Sequence, residues 1–210
     1  MSLIDELKGK KHIIWDWNGT ILDDVQHAVN TINLLLKENQ RPPLGMDRYK
    51  KIFCFPIKNY YDELGFDYTR KSFEDLCHEF VDSFMEGVFT CRPYPEVEKI
   101  LLELANEGRD QSVLSATDQK NLDKMIGYYN FDHIFNFVFG IDNKFGASKL
   151  SRGQELINQL QYDLTETVLI GDTLHDLEVG RYLGIDVVLL NHGHQCQTVL
   201  IDKHDKVISV

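Results

Sequence analysis

His12-Ile13-Ile14-Trp15-Asp16-Trp17-Asn18-Gly19-Thr20-Ile21-Leu22 decides how the rest of this 210-residue chain is read. Mostly bulky apolar residues run directly into an aspartate, and a polar turn broken by Gly19 follows. Such a run suits a central strand of a parallel sheet, buried on both faces. Ligands of open α/β sheets sit beyond the carboxyl ends of the strands, so Asp16 falls where such folds place chemistry. Gly19 lets the chain turn sharply beside that carboxylate. Taken alone, the segment is equally an ordinary strand-ending turn, and the remaining sequence has to decide.

Composition sets the bounds. With 43% hydrophobic and 26% charged residues, the chain can build one substantial core, or a core and a small second domain. No apolar run approaches a membrane span and no signal-peptide pattern opens the chain. Cys54, Cys77, Cys91 and Cys196 form no CxxC pair, which predicts reduced thiols in a cytoplasmic protein. A formal net charge of −11 argues against nucleic-acid or anionic-membrane partners. It also requires that an anionic substrate be held by a local cation. Oligomeric state is not encoded in any of these features.

After Leu22, Asp23 or Asp24 is a candidate cap for a helix whose apolar face is Val25, Ala28, Val29, Ile32, Leu35 and Leu36. Arg41-Pro42-Pro43 stops it. A turn at Phe53 to Pro56 precedes a short helix from Ile57 to Leu64. Ser72-Phe73-Glu74-Asp75 resembles a capping box and opens a helix carrying Phe73, Leu76, Cys77, Phe80, Phe84 and Val88. Residues 23–91 therefore read as an all-helical insertion. Beyond it, strands and helices alternate: a helix from Pro95 to Gly108, a strand at Ser112–Ser115, a helix through Tyr129, and a strand near Phe135–Phe139. A helix from about Leu150 to Leu160, a strand at Thr167–Gly171, a short helix to Gly184 and a strand at Ile185–Leu190 complete the series. Alternation of this kind predicts an α/β fold with a doubly wound parallel sheet, formed by residues 1–22 and 92–210.

Three strand ends then present polar side chains at one sheet edge: Asp16, Ser115 and Asp172. Asp176 follows in the turn after Asp172, and Lys149 starts the preceding helix. Carboxylates converging in a cleft are costly unless a cation neutralises them. All-oxygen ligation suits Mg²⁺, which keeps several waters and takes one or two carboxylates plus substrate phosphate oxygen. Asp16 is then placed to attack phosphorus, with Ser115 and Lys149 holding phosphoryl oxygens.

At this point the chain resembles the haloacid dehalogenase superfamily, and within it the phosphoglycolate-phosphatase-like branch with a helical cap. The motifs that carry the resemblance are Asp16-Trp17-Asn18-Gly19-Thr20, Ser115 after an apolar strand, Lys149, and Gly171-Asp172-Thr173-Leu174-His175-Asp176, in that order. The resemblance implies Mg²⁺-dependent hydrolysis of a small phosphorylated metabolite through an aspartyl-phosphate on Asp16. It implies a metal site of Asp16, Asp172, Asp176 and the backbone carbonyl of Asn18, with Thr20, Ser115 and Ala116 beside the substrate. Lys144 competes with Lys149 for the lysine role, and the family spacing favours Lys149. Ser115 is otherwise a helix cap, a duty for which Asp118 serves equally well.

One position departs from the family. Its phosphatases carry an acid/base aspartate two residues after the nucleophile, and here that residue is Asn18, whose amide cannot exchange a proton at neutral pH. Phosphonoacetaldehyde hydrolases also lack this aspartate and use a cap lysine as a Schiff base, which makes Lys58 the candidate for a second reading, C–P bond hydrolysis. A third reading is a catalytically weak protein that binds a phosphorylated ligand. Of the remaining features, His192-Gly193-His194-Gln195-Cys196 reads as a loop over the cleft in preference to a zinc site. His175 is expected to face outward or cap its helix. Trp15 is expected in the core, and Trp17 against the pocket.

Overall fold

In the computed structural model, which describes residues 2–142 and 149–210, the opening stretch forms a strand with all four residues buried. The elements in order are α1 (Leu3–Glu6), β1 (His12–Trp15), β2 (Leu22–Asp23), α2 (Val25–Glu38), α3 (Met46–Ile52), α4 (Ile57–Leu64), α5 (Phe73–Gly87) and β3 (Arg92–Pro93). Then follow α6 (Pro95–Asn106), β4 (Asp110–Asp118), α7 (Gln119–Tyr128), β5 (Phe137–Ile141), α8 (Lys149–Gln159) and β6 (Thr167–Gly171). The chain closes with α9 (Leu174–Leu183), β7 (Asp186–Leu190), α10 (Gln197–Ile201) and β8 (Val207–Ile208).

A six-stranded parallel sheet runs in the order β5-β4-β1-β6-β7-β8. β1 lies between β4 and β6, so the connections leave it in both directions and a crevice opens beyond its carboxyl end. Strand alternation sorts β1 between two cores. Ile13 and Trp15 join the large cluster packed by α2, α6 and α7, whereas Ile14 meets Leu114 and Leu169 under α8 and α9. Each such fully buried side chain contributes roughly 1.5–3 kcal/mol. This is the doubly wound fold read from the sequence.

Between β2 and β3 the insertion is entirely helical, and those two short strands pair antiparallel where the chain leaves and re-enters the sheet. α4 has the predicted bounds, and Ser72 accepts the Asp75 amide at the start of α5. α3 is unexpected: it follows Pro42-Pro43-Leu44-Gly45, is rich in charge, and buries only Tyr49. α1, α10, β8 and the β2–β3 ribbon are likewise too short to leave a periodic signal. Asp24 precedes α2 but makes no side-chain cap; its carboxylate is used elsewhere. Among the described residues, no helix is long and apolar enough to cross a membrane.

Candidate active site

β1 delivers Asp16 to the crevice, and its amide extends the ladder by donating to Ile170 O at 2.8 Å. β6 delivers Asp172 by the same logic one strand away. Three glycines admit these carboxylates. Gly19 has a φ of +71°, and a Cβ there would collide with Asp172 and His194. Side chains at Gly171 and Gly193 would collide with Asp176 and Asp172 respectively.

Asp16, Asp172 and Asp176 each offer an oxygen within 4.8 Å of the others, and all three are buried. Lys149, at the start of α8 and 2% exposed, donates to Asp16 Oδ1 at 2.5 Å and to Asp176 Oδ1 at 2.6 Å. The other oxygen of Asp176 caps α9, accepting from the amide and hydroxyl of Thr173. Thr20 donates to Asp172 Oδ1 at 3.1 Å. Thr20 is fully buried, also reaches Asp16 Oδ2 at 3.5 Å, and is not among the described residues lining the cavity.

The electrostatics express a shortage of positive charge. Burial pushes the Asp16 carboxyl up to about 8, although Lys149 opposes the rise. Burial likewise pushes Asp172 up to about 6 against the pull of His194. Burial alone would raise Asp176, but Lys149 outweighs it and holds that carboxyl below its ordinary value. Lys149 resists its own burial because Asp16 and Asp176 hold it charged. Burial also opposes a charge on His194, yet Asp24 beside it at 3.4 Å lifts its pKa to about 9. Four buried carboxyls thus face two buried cations, and a divalent ion would supply the positive charge that lets Asp16 and Asp172 ionise together. The all-oxygen donor set fits a hard cation such as Mg²⁺.

Asn18 is pinned at both ends. Its Nδ2 donates to Asp24 Oδ2 at 2.8 Å, and its Oδ1 accepts from Thr117 Oγ1 at 2.7 Å. Asp24 also accepts the Gly19 amide at 2.7 Å, which holds the turn after the nucleophile. Ser115 and Ala116 line the cavity where β4 loses register with β5, between Leu114 and Asp118. Ser115 Oγ accepts the Thr117 amide, and Asp118 takes over the cap of α7, as weighed from the sequence.

The insertion roofs the same cavity of about 190 Å³. Cys77, Phe80, Val81, Phe84 and Met85 reach it from α5, and Phe53, Phe55 and Tyr60 from the preceding segments. His175 stacks on Phe55 with ring centroids 4.5 Å apart. It therefore faces the insertion, which corrects the expectation of an outward side chain; burial lowers its pKa. Trp17 is fully buried against Tyr129 and Phe131 instead of walling the pocket, while Trp15 lies in the core and donates to Gln111. Lys58 is half-exposed on α4, tied to Asp62 at 2.9 Å and lying over the Tyr68 ring. It does not line the cavity, so the structure withholds support from its substrate-binding and Schiff-base roles. Lys144, the competitor of Lys149, lies outside the described residues.

The histidine segment also has a definite place. Tyr49 Oη bonds His194 Nδ1 at 2.7 Å, Lys50 donates to His192 O, the Cys196 amide to Lys50 O, and Gln195 to Phe53 O. These bonds fasten α3 to the sheet edge. With both ring nitrogens of His194 engaged, the segment forms no zinc cluster among the described residues. Asp24, Thr117 and Tyr49 were not singled out as site residues by their sequence, since none sits in a motif whose spacing marks it, and His194 was read only as part of a loop over the cleft.

This geometry agrees with what the chain is similar to. The profile of the haloacid dehalogenase-like hydrolases matches residues 13–190, and the chain belongs to that family. Two curated relatives are phosphoglycolate phosphatases. The one from Caulobacter vibrioides is 23% identical over 92% of this chain and 84% of its own. The one from Psychrobacter arcticus is 22% identical over 88% and 85%. A haloacid dehalogenase-like hydrolase from Streptococcus pneumoniae shares the fold at a TM-score of 0.80, with 17% identity over 96% of this chain and 94% of its own. The chain is accordingly a haloacid dehalogenase-like hydrolase, similar over most of its length to two phosphoglycolate phosphatases.

Proposed function

We propose that the protein is a Mg²⁺-dependent phosphatase of a small phosphorylated metabolite, working through Asp16. The observation that carries this reading is Lys149 bridging Asp16 and Asp176 on the cavity floor, with Asp172 completing a buried acidic triad. Asp16 attacks phosphorus, the bond to the leaving oxygen breaks, and water then attacks the aspartyl-phosphate to release phosphate and restore Asp16. Lys149 has one proton beyond the two it gives to carboxylates, available to a phosphoryl oxygen; Ser115 and Ala116 border the same space. Asp16, Asp172, Asp176 and the Asn18 carbonyl would hold Mg²⁺, which supplies charge neutralisation for the phosphoryl group. Asn18 offers no exchangeable acid proton, so the leaving group departs unassisted. The insertion, residues 23–91, acts as a cap that excludes water. A reducing, cytoplasmic setting fits its four unpaired cysteines.

Phosphate release from acetyl phosphate and 4-nitrophenyl phosphate, with and without Mg²⁺, tests this reading. Release that requires Mg²⁺ and vanishes in Asp16→Asn is expected. Wild-type turnover by Asp16→Asn would overturn it.

A further inference from the structure

The roof does not suit the substrate in the curated relatives' name, phosphoglycolate, whose carboxylate adds a negative charge to those of its phosphate. Glycolate's carboxylate needs a cation, and among the described residues lining the cavity the only lysine or arginine is Lys149. That ammonium already serves Asp16 and Asp176 on the floor. The substrate carboxylate would enter a space already short of positive charge and pay full desolvation.

The roof offers rings and thioether instead. Cys77, Phe80, Val81, Phe84 and Met85 stand at the i, i+3, i+4, i+7, i+8 spacing of one helical stripe, yet Phe80, Val81 and Met85 stay half-buried with the cavity before them. Phe53 and Phe55 continue the apolar wall and pack edge-to-face 5.7 Å apart. Two polar atoms border it: Tyr60 Oη and His175 Nε2 are buried and without hydrogen-bond partners among the described residues, and both residues line the cavity. Unmet buried polar atoms of this kind suit an uncharged hydrogen-bonding group on a ligand.

We propose that the substrate is a phosphate monoester of an otherwise uncharged phenol, whose ring lies under Phe80 and Phe84 while its phosphate meets the floor. The inference rests on the phosphatase reading of that floor. The missing acid at Asn18 points the same way, because a phenolate leaves without the proton that an alkoxide needs.

Binding tests the proposal separately from turnover. Titration calorimetry in Mg²⁺ would compare 1-naphthylmethylphosphonate, which carries the ring, with phosphonoacetate, which carries the carboxylate. The wild type is expected to bind the naphthyl compound at least about 100-fold more tightly. Phe80→Ala should weaken the naphthyl compound by about 10-fold and leave phosphonoacetate unchanged, whereas Val81→Lys should shift the preference toward phosphonoacetate. Equal or tighter wild-type binding of phosphonoacetate, no detectable binding of either compound, or indifference of naphthyl affinity to Phe80→Ala would overturn the proposal. If the naphthyl preference holds while no ester releases phosphate, the substrate class stands and the phosphatase reading falls.

Discussion

Below the cavity, charged side chains are held by short, reciprocal bonds: Lys149 to two carboxylates, Asp176 to Thr173, Asn18 to Asp24 and Thr117. Above it, rings and a thioether line the space, and Tyr60 Oη has no hydrogen-bond partner among the described residues. The floor descends from strand ends of one parallel sheet, which fixes positions to within a side chain. The roof descends from separate helices, anchored to the sheet edge chiefly where α3 meets the segment from His192 to Cys196. A division of labour follows: the charged floor suits bond making, and the apolar roof suits recognition.

The sharpest way to break this contrast is to remove the floor's cation. Lys149→Met leaves Asp16 and Asp176 buried without compensation, a loss of about 3–5 kcal/mol for such a broken pair. Thermal unfolding should show the loss, Mg²⁺ should recover part of it, and phosphate release should disappear. An unchanged Tm would mean that the two ion pairs do not stabilise the floor.

Acid should weaken the sheet beneath the floor before it touches the roof. Burial holds the His12 imidazole down to about 4, against an ordinary value of about 6.5. Because the folded pKa is depressed, its contribution is fully present above about pH 6.5 and is lost as pH falls toward 4. Burial keeps the folded state from taking a proton that the unfolded chain accepts. The expected loss across that window is about 2–3 kcal/mol, read from denaturant midpoints, and His12→Asn should flatten it.

A smaller effect should come from Asn18→Asp. The new carboxyl stands against Asp24, which pushes its pKa up and makes it a better proton donor. Turnover of an alkyl phosphate should rise about 10-fold, with little change for an aryl phosphate. Adding Asp24→Asn should relieve the repulsion and restore stability. A paired kinetic comparison in which neither ester gains would show that proton donation does not limit the alkyl reaction.

The floor was legible because its chemistry obeys a rule of place: an apolar strand followed by a polar residue, repeated at Asp16, Ser115 and Asp172. Asp24 was misread as a cap, since an aspartate before a helix has two uses and only the fold shows that Gly19 and Asn18 claim it. Trp17 was placed against the pocket because adjacency to Asp16 in sequence does not say which way a turn points its side chains. The α5 stripe was legible as an apolar face, but not what covers it. An apolar face looks the same whether another helix or a ligand covers it.

The central claim is that the phosphoryl group passes through Asp16. Acid quenching the Mg²⁺-loaded protein during turnover of an aryl phosphate, followed by borohydride reduction and peptide mass spectrometry, tests it most directly. Without an acid/base carboxyl at Asn18 the intermediate should accumulate, so reduced aspartate is expected at position 16, and none in Asp16→Asn. Phosphate released with Asp16 unmodified, or label found on Ser115, would contradict the account.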